Sequence, residues 1–168
     1  STSLFVSFIR PPGEVFAYFK DILHRPGKVT LGHNPAGGLS VVALLGLTAL
    51  QVTFGLFAID IDYVDTGPLS EMVSYEWASQ SLDLHELTFD LLLILVGLHV
   101  GMILFYRFYK QDNLLHPMVT GYKKIPEDNQ ELTEQATRLK FAGIGRAVLL
   151  LALSAAAVWF IVTILPTL

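Results

Sequence analysis

The sequence predicts an all-α membrane protein with three transmembrane helices, and two observations carry that prediction. The 168 residues are 52% hydrophobic and only 15% charged. Three uninterrupted apolar runs, at about 37–59, 84–106 and 143–165, each reach the ~20 residues that a helix needs to cross the hydrocarbon core of a bilayer. A single apolar run of this length fits a buried helix of a soluble protein, but three in so small a chain indicate membrane insertion.

The basic residues predict how the spans are oriented. All eleven Lys and Arg lie either before the first span or from residue 107 to the start of the third, whereas 60–83 carries none and is acidic. Lys and Arg are retained on the cytoplasmic side of membrane proteins. We therefore expect 1–36 and 107–142 to be cytoplasmic, and the acidic loop 60–83 and the C-terminus to face outside.

The cytoplasmic segments contain two further predicted helices. Residues 14–23 place apolar side chains at helical spacing, as in an amphipathic helix that lies in the membrane interface or packs on the protein's own cytoplasmic end. An acidic stretch at 126–140 also reads as helical. Asn34 followed by Pro35 is a favourable start for the first span, with Asn34 as N-cap and Pro35 in the first helical position.

Two histidines, His85 and His99, stand fourteen positions apart in the second span. At ~100° and ~1.5 Å per residue, both imidazoles leave one face of the helix and lie about 21 Å apart along its axis. That distance covers most of the hydrocarbon core. The spacing is typical of a helix that holds two haems, one near each side of a membrane, because neutral imidazole is a good axial ligand for haem iron.

Other chemistries fit these histidines less well. The chain has no cysteine, so a thiolate site or covalent haem attachment is excluded, and any haem is held by coordination alone. A zinc-protease HExxH motif fails because Phe89 occupies the second histidine position, and His99 is too distant to share a zinc ion with His85. A helix–helix hydrogen bond or a proton path remains the alternative role.

Several other residues are candidates for the same site. His33, at the cytoplasmic mouth of the first span, could ligate, contact a haem propionate or cap the helix, and the last two roles are favoured. Arg107 and Lys110 follow His99 and could pair with propionates of the inner haem. Arg25 and Lys28 are alternatives, and ordinary positive-inside anchoring explains all four cations equally well.

Three polar residues have weaker signals. Gln51, the one strongly polar residue deep in the first span, could hydrogen-bond a neighbouring helix or a cofactor edge, and the first is favoured. His24 and His116 lie in polar segments and are expected at the surface.

Three motifs together resemble the bacterial di-haem cytochrome b561 family, which includes the membrane cytochrome b subunits of nickel–iron hydrogenases. They are GHNPAGG at 32–38, HEL…LHV around the histidine pair, and MVTGYKK at 118–124. The resemblance covers about 8–124. It implies a four-helix core in a bacterial inner membrane, with two non-covalent b haems that are each held by two histidines. By this resemblance His99 ligates the inner haem and His85 the outer, periplasmic one.

The sequence departs from the pattern of that family in two ways. The family's two N-terminal helices, which carry the opposite haem ligands, are not in this sequence, so they or a second chain would have to supply those ligands. The span at 143–165 is additional to the four-helix core and is expected to dock a partner subunit or stabilise a dimer.

The favoured function is electron transfer between the membrane quinone pool and a periplasmic or membrane redox subunit. A haem-free anchor for a redox complex is the alternative. A proton-coupled transporter ranks third, because Asp90 lies about 140° around the helix from the histidine face. Nothing in the sequence indicates nucleic-acid binding.

Overall fold

Helices dominate the computed structural model, which describes residues 9–24, 32–62, 64, 66–123, 130–137 and 143–167. Six α-helices follow one another in this part of the chain: α1 (Pro12–Lys20), α2 (Pro35–Phe57), α3 (Tyr75–Phe105), α4 (Leu115–Thr120), α5 (Gln130–Thr137) and α6 (Ile144–Trp159). Short π-helical turns extend α3 over Tyr106–Lys110 and α6 over Phe160–Ile164, and 3-10 turns form at Ser70–Met72 and Leu165–Thr167.

Three helical segments of the described residues are long and apolar enough to cross a membrane: Pro35–Phe57, Tyr75–Lys110 and Ile144–Thr167. Almost none of their apolar side chains is buried, as expected when lipid takes the place of a protein core. The predicted all-α membrane fold is therefore confirmed.

The chain divides into two compact units. Unit 1 comprises Ser1–Ala43 and Leu95–Phe141, and unit 2 comprises Leu44–Ile94 and Ala142–Leu168. Ser40 and His99 consequently belong to unit 1, while Gln51 and His85 belong to unit 2.

In unit 1, the start of α2 follows its local sequence. The Asn34 side-chain oxygen accepts a hydrogen bond from the Gly37 N–H at 2.7 Å, and Pro35 occupies the first helical position. This confirms Asn34 as the N-cap. At the end of α3, the chain widens into the π-helical turn and stops at Gln111, which adopts a left-handed conformation with φ 57°.

In unit 2, the loop after α2 folds back onto the end of that helix. The Gly67 and Leu69 N–H groups donate to the carbonyl oxygens of Ala58 and Leu56 at 2.7 and 2.8 Å, and an antiparallel bridge joins Ile59 to Thr66. These bonds satisfy carbonyls that the helix end leaves without an internal partner. The returning loop thereby leads the chain into α3.

The helices differ from the apolar runs mainly at their ends. α3 begins at Tyr75, well before the run that starts at residue 84, because a helix continues through polar turns that hydropathy assigns to the loop. α1 spans Pro12–Lys20 where residues 14–23 were predicted, and α5 covers part of the predicted 126–140 helix. Residues 124–129 and 138–142 lie outside the described residues.

Candidate functional site

The His85 ring is held against α2 in unit 2. Its Nδ1 lies 2.9 Å from the backbone carbonyl oxygen of Gln51, and its Nε2 lies 3.0 Å from the side-chain nitrogen of the same residue. A carbonyl oxygen can only accept, so Nδ1 carries the proton and Nε2 carries the lone pair. One residue of α2 therefore fixes the tautomer of His85 and contacts both ring nitrogens.

Thr88 fixes the orientation of the Gln51 amide. Thr88 is one helical turn after His85 and only 5% exposed, and its hydroxyl lies 2.5 Å from the Gln51 side-chain oxygen. Because the hydroxyl donates to that oxygen, the amide nitrogen faces His85 as a donor. These hydrogen bonds confirm the predicted contact of Gln51 with a neighbouring helix.

Gly55 makes room for the His85 ring. A Cβ on Gly55 would lie 2.7 Å from His85 Cε1 and 2.9 Å from Nδ1, which is closer than any Cβ can approach. Glycine is therefore required where the imidazole rests on the backbone of α2. Gln51 and Gly55 are one helical turn apart, so both face the same ring.

His99 has a corresponding partner in unit 1. Its Nδ1 lies 3.2 Å from the Ser40 hydroxyl oxygen on α2, and both side chains are half-buried. A serine hydroxyl can donate or accept, so this contact orients the ring without dictating the tautomer. In each unit, then, the Nδ1 atom of one histidine of α3 hydrogen-bonds a polar group of α2.

Unit 1 also contains a cavity of about 480 Å³ beside the π-helical end of α3. The Tyr106 hydroxyl lies at its wall, where it hydrogen-bonds the Tyr18 hydroxyl and the Asn34 side-chain nitrogen, the latter at 3.3 Å. Apolar side chains such as Ile22 and Met118 share the lining with the carboxylates of Glu14, Asp21 and Asp112. A cavity of this size, with apolar side chains and convergent polar groups, suits a small ligand that has both apolar and polar parts.

Three of the predicted candidates, His33, Arg107 and Lys110, lie at this same end. Lys110 lines the cavity and donates from Nζ to the backbone carbonyl of His24, while the Arg107 side chain is exposed. His33 also lines the cavity and is exposed, and it is Asn34 that provides the side-chain cap of α2. Arg25 and Lys28 lie outside the described residues.

The two histidines expected at the surface are there. The His24 ring is exposed and pairs with the Asp21 carboxylate at 2.9 Å. His116 is exposed and contacts the backbone oxygen of Tyr122 through Nδ1 at 3.1 Å.

Sequence reasoning missed Ser40, Thr88, Gly55 and the Tyr18–Tyr106 pair. Helical spacing could have indicated Ser40 and Thr88. Thr88 is three residues after His85, and Ser40 is eleven residues, about three whole turns, before Gln51. Each pair therefore occupies one helix face. Tyr18 and Tyr106 are 88 positions apart, and no local pattern links them.

A family model described as prokaryotic cytochrome b561 matches residues 4–121 of the chain, which is more than half of its length. The chain belongs to this family. No curated protein and no solved structure matches it. Family membership, together with the three apolar helices, makes the chain a multi-pass membrane protein of a b-type cytochrome family, whose cofactor is b-type haem and whose chemistry is electron transfer.

Among the described residues, the ring nitrogens of His85 and His99 are chemically suited to bind haem iron. Metal-bound imidazoles typically donate the N–H of the other ring nitrogen to a backbone carbonyl or similar acceptor, which fixes the ring and strengthens the ligand. His85 has that arrangement through the Gln51 carbonyl. His99 has a comparable Nδ1 contact with Ser40.

Proposed function

We propose that this chain is the part of a di-haem cytochrome b that passes electrons across the membrane between the quinone pool and a redox partner, with His85 and His99 as axial ligands of two b haems. The observation that carries the proposal is the Nδ1 hydrogen bond of His85 to the Gln51 carbonyl, which leaves Nε2 as the ligating atom. The Ser40 contact orients the ring of His99 in addition. A bound b haem would supply reversible one-electron chemistry at iron.

The chain's own residues orient the two ligands. The Gln51 carbonyl keeps the proton of His85 on Nδ1, and Gly55 lets the ring rest against α2. Ser40 restrains the ring of His99. Both histidines are residues of α3, fourteen positions apart in the sequence.

We propose the unit 1 cavity as the place where quinone is oxidised or reduced. Tyr106 follows His99 by seven residues, so it lies about two turns, or ~10 Å, further along the same helix face. The two tyrosine hydroxyls and the Asn34 amide can donate to a quinone carbonyl, and the apolar side chains of the lining can hold its ring. Lys110 and Arg107 are available for haem propionates at this end.

The third span suits a packing role. Every described side chain from Ile144 to Trp159 is exposed, although the helix is apolar. We propose that this helix packs against another subunit, and that helices outside this sequence, on the same or a second chain, supply the opposite haem ligands. We further propose a bacterial inner membrane location, with 107–142 cytoplasmic and 60–83 periplasmic.

The function is tested in proteoliposomes that contain the purified complex and trapped ferricyanide. Added quinol should reduce the trapped ferricyanide, and His85→Ala and His99→Ala should each reduce the rate at least tenfold. His116→Ala, at an exposed histidine, is the matched control and should leave it unchanged. Normal rates in both haem-ligand variants would overturn the proposal, and normal assembly without haem would favour the anchor alternative.

A further inference from the structure

The lone pair on His85 Nε2 already has a hydrogen-bond donor. The Gln51 amide nitrogen lies 3.0 Å from it, and Thr88 holds that amide in the donating orientation. An sp² nitrogen has one lone pair, so the Gln51 N–H and a haem iron cannot use it together. Iron coordination at this atom requires the Gln51 side chain to turn away.

We propose that Gln51 is a positioning residue with two opposed effects on haem binding at His85. Its backbone carbonyl fixes the ligating tautomer, while its side chain competes with iron for Nε2 and so lowers the haem affinity of this site. The inference rests on the proposed role of His85 as a haem ligand and adds to it a residue that tunes how readily the haem binds.

The surroundings allow the Gln51 amide to leave without an unsatisfied buried group remaining. The Thr88 hydroxyl lies 2.9 Å from the Leu84 carbonyl oxygen and 3.1 Å from that of His85, so it keeps an acceptor when the amide moves. Gln51 itself is only half-buried. The backbone carbonyl of Gln51 belongs to α2 and does not move with the side chain.

The effect should be confined to one haem. Among the described residues, Ser40 is the hydrogen-bond partner of the His99 ring, and it contacts Nδ1 rather than Nε2. No competitor comparable to Gln51 therefore acts on His99 in that part of the chain. Haem affinity and loading should differ between the two sites for this reason.

The test is a titration of the haem-depleted complex with ferric protoporphyrin IX. Gln51→Leu removes the competing N–H and keeps the backbone carbonyl, so affinity at the His85 site should rise about two- to tenfold, the range of one neutral hydrogen bond. Thr88→Val, nearly isosteric, frees the amide and should give a smaller rise. The control is Thr53→Leu on the same helix, an exposed residue that bonds only its own turn through Ala49, and it should change nothing.

A second readout does not depend on haem. In haem-depleted protein with ¹⁵N-labelled histidine, His85 should show the Nδ1–H tautomer in both wild type and Gln51→Leu, and only the Nε2 resonance should shift between them. Unchanged or lower haem affinity in Gln51→Leu, or an Nε2–H tautomer in the wild type, would overturn the inference. The proposed function fails separately, if His85→Ala retains the full haem content.

Discussion

At the scale of single residues, the site depends on how small neighbours shape the position of an imidazole. Gly55 lets the His85 ring approach the backbone of α2 closely enough for Nδ1 to reach the Gln51 carbonyl. A side chain at position 55 would occupy the volume of the ring itself. The glycine thus determines whether the hydrogen bond that selects the tautomer can form.

Gly55→Ala should displace the His85 ring and break its Nδ1 hydrogen bond. Loss of such an outer contact typically weakens metal binding 10–100-fold, so we expect haem affinity at the His85 site to fall by about that factor. Gly46→Ala is the matched control, because a Cβ at Gly46 meets nothing within 4 Å on the same helix. Haem titration of both variants checks the expectation, and equal affinities would contradict it.

At the scale of helices, the ends of α2 and α3 support sharper predictions about stability and ligand binding than their apolar centres do. α2 is followed by a loop that returns to its last turn, and Gly67 lies where the two backbones meet. A Cβ there would lie 2.3 Å from the Gly55 carbonyl oxygen and 2.4 Å from that of Leu56. Because backbone atoms cannot turn aside as a side chain can, the loop would have to lift from the helix.

Gly67→Ala should therefore destabilise the protein by about 1–3 kcal/mol, the usual cost of overpacking a tight site. The measurement is reversible unfolding in mixed detergent micelles. Gly143→Ala serves as the control, since nothing lies within 4 Å of a Cβ at that position. Equal stability of the two variants would show that the returning loop does not pack on α2 as described.

The π-helical end of α3 is the second informative element. π-helical turns occur frequently at functional sites, and this one places Tyr106 at the cavity wall. Tyr106→Phe removes the hydroxyl that joins Tyr18 to Asn34 and keeps the ring. If quinone binds here, the KM for quinol should rise about two- to tenfold through loss of one hydrogen bond.

The control for that measurement is Tyr122→Phe in the same unit, where the side chain is 77% exposed. It should leave the KM for quinol unchanged. A Tyr106→Phe variant with wild-type KM would place the quinone site elsewhere.

At the scale of the whole molecule, the distribution of charge predicts orientation, and the absence of cysteine makes it simple to test. Single cysteines at Glu71 and Asn113, both exposed, report on the two sides. In intact cells a membrane-impermeant maleimide should label Glu71→Cys at once and Asn113→Cys only after lysis. The reverse pattern would invert the proposed orientation.

Hydropathy was enough to predict the three spans, and the Asn34-Pro35 pair was enough to predict the N-cap of α2. The shared face of His85 and His99 rests on helical periodicity and stays a prediction. These signals act within one segment, where residue spacing determines geometry. The contacts of Gln51 with His85 and of Ser40 with His99 depend on how α2 and α3 pair within each unit, and periodicity does not determine that register. The Tyr18–Tyr106 contact depends on where the chain folds after α1, which no local pattern encodes.

Counting b haems in the purified complex, for the wild type and for His85→Ala, His99→Ala and the double variant, tests the central claim most directly. His24→Ala, at an exposed histidine, is the control and should retain the wild-type content. Each single variant should lose one haem and the double variant both. Wild-type haem content in the single variants would contradict the assignment of His85 and His99 as the ligands.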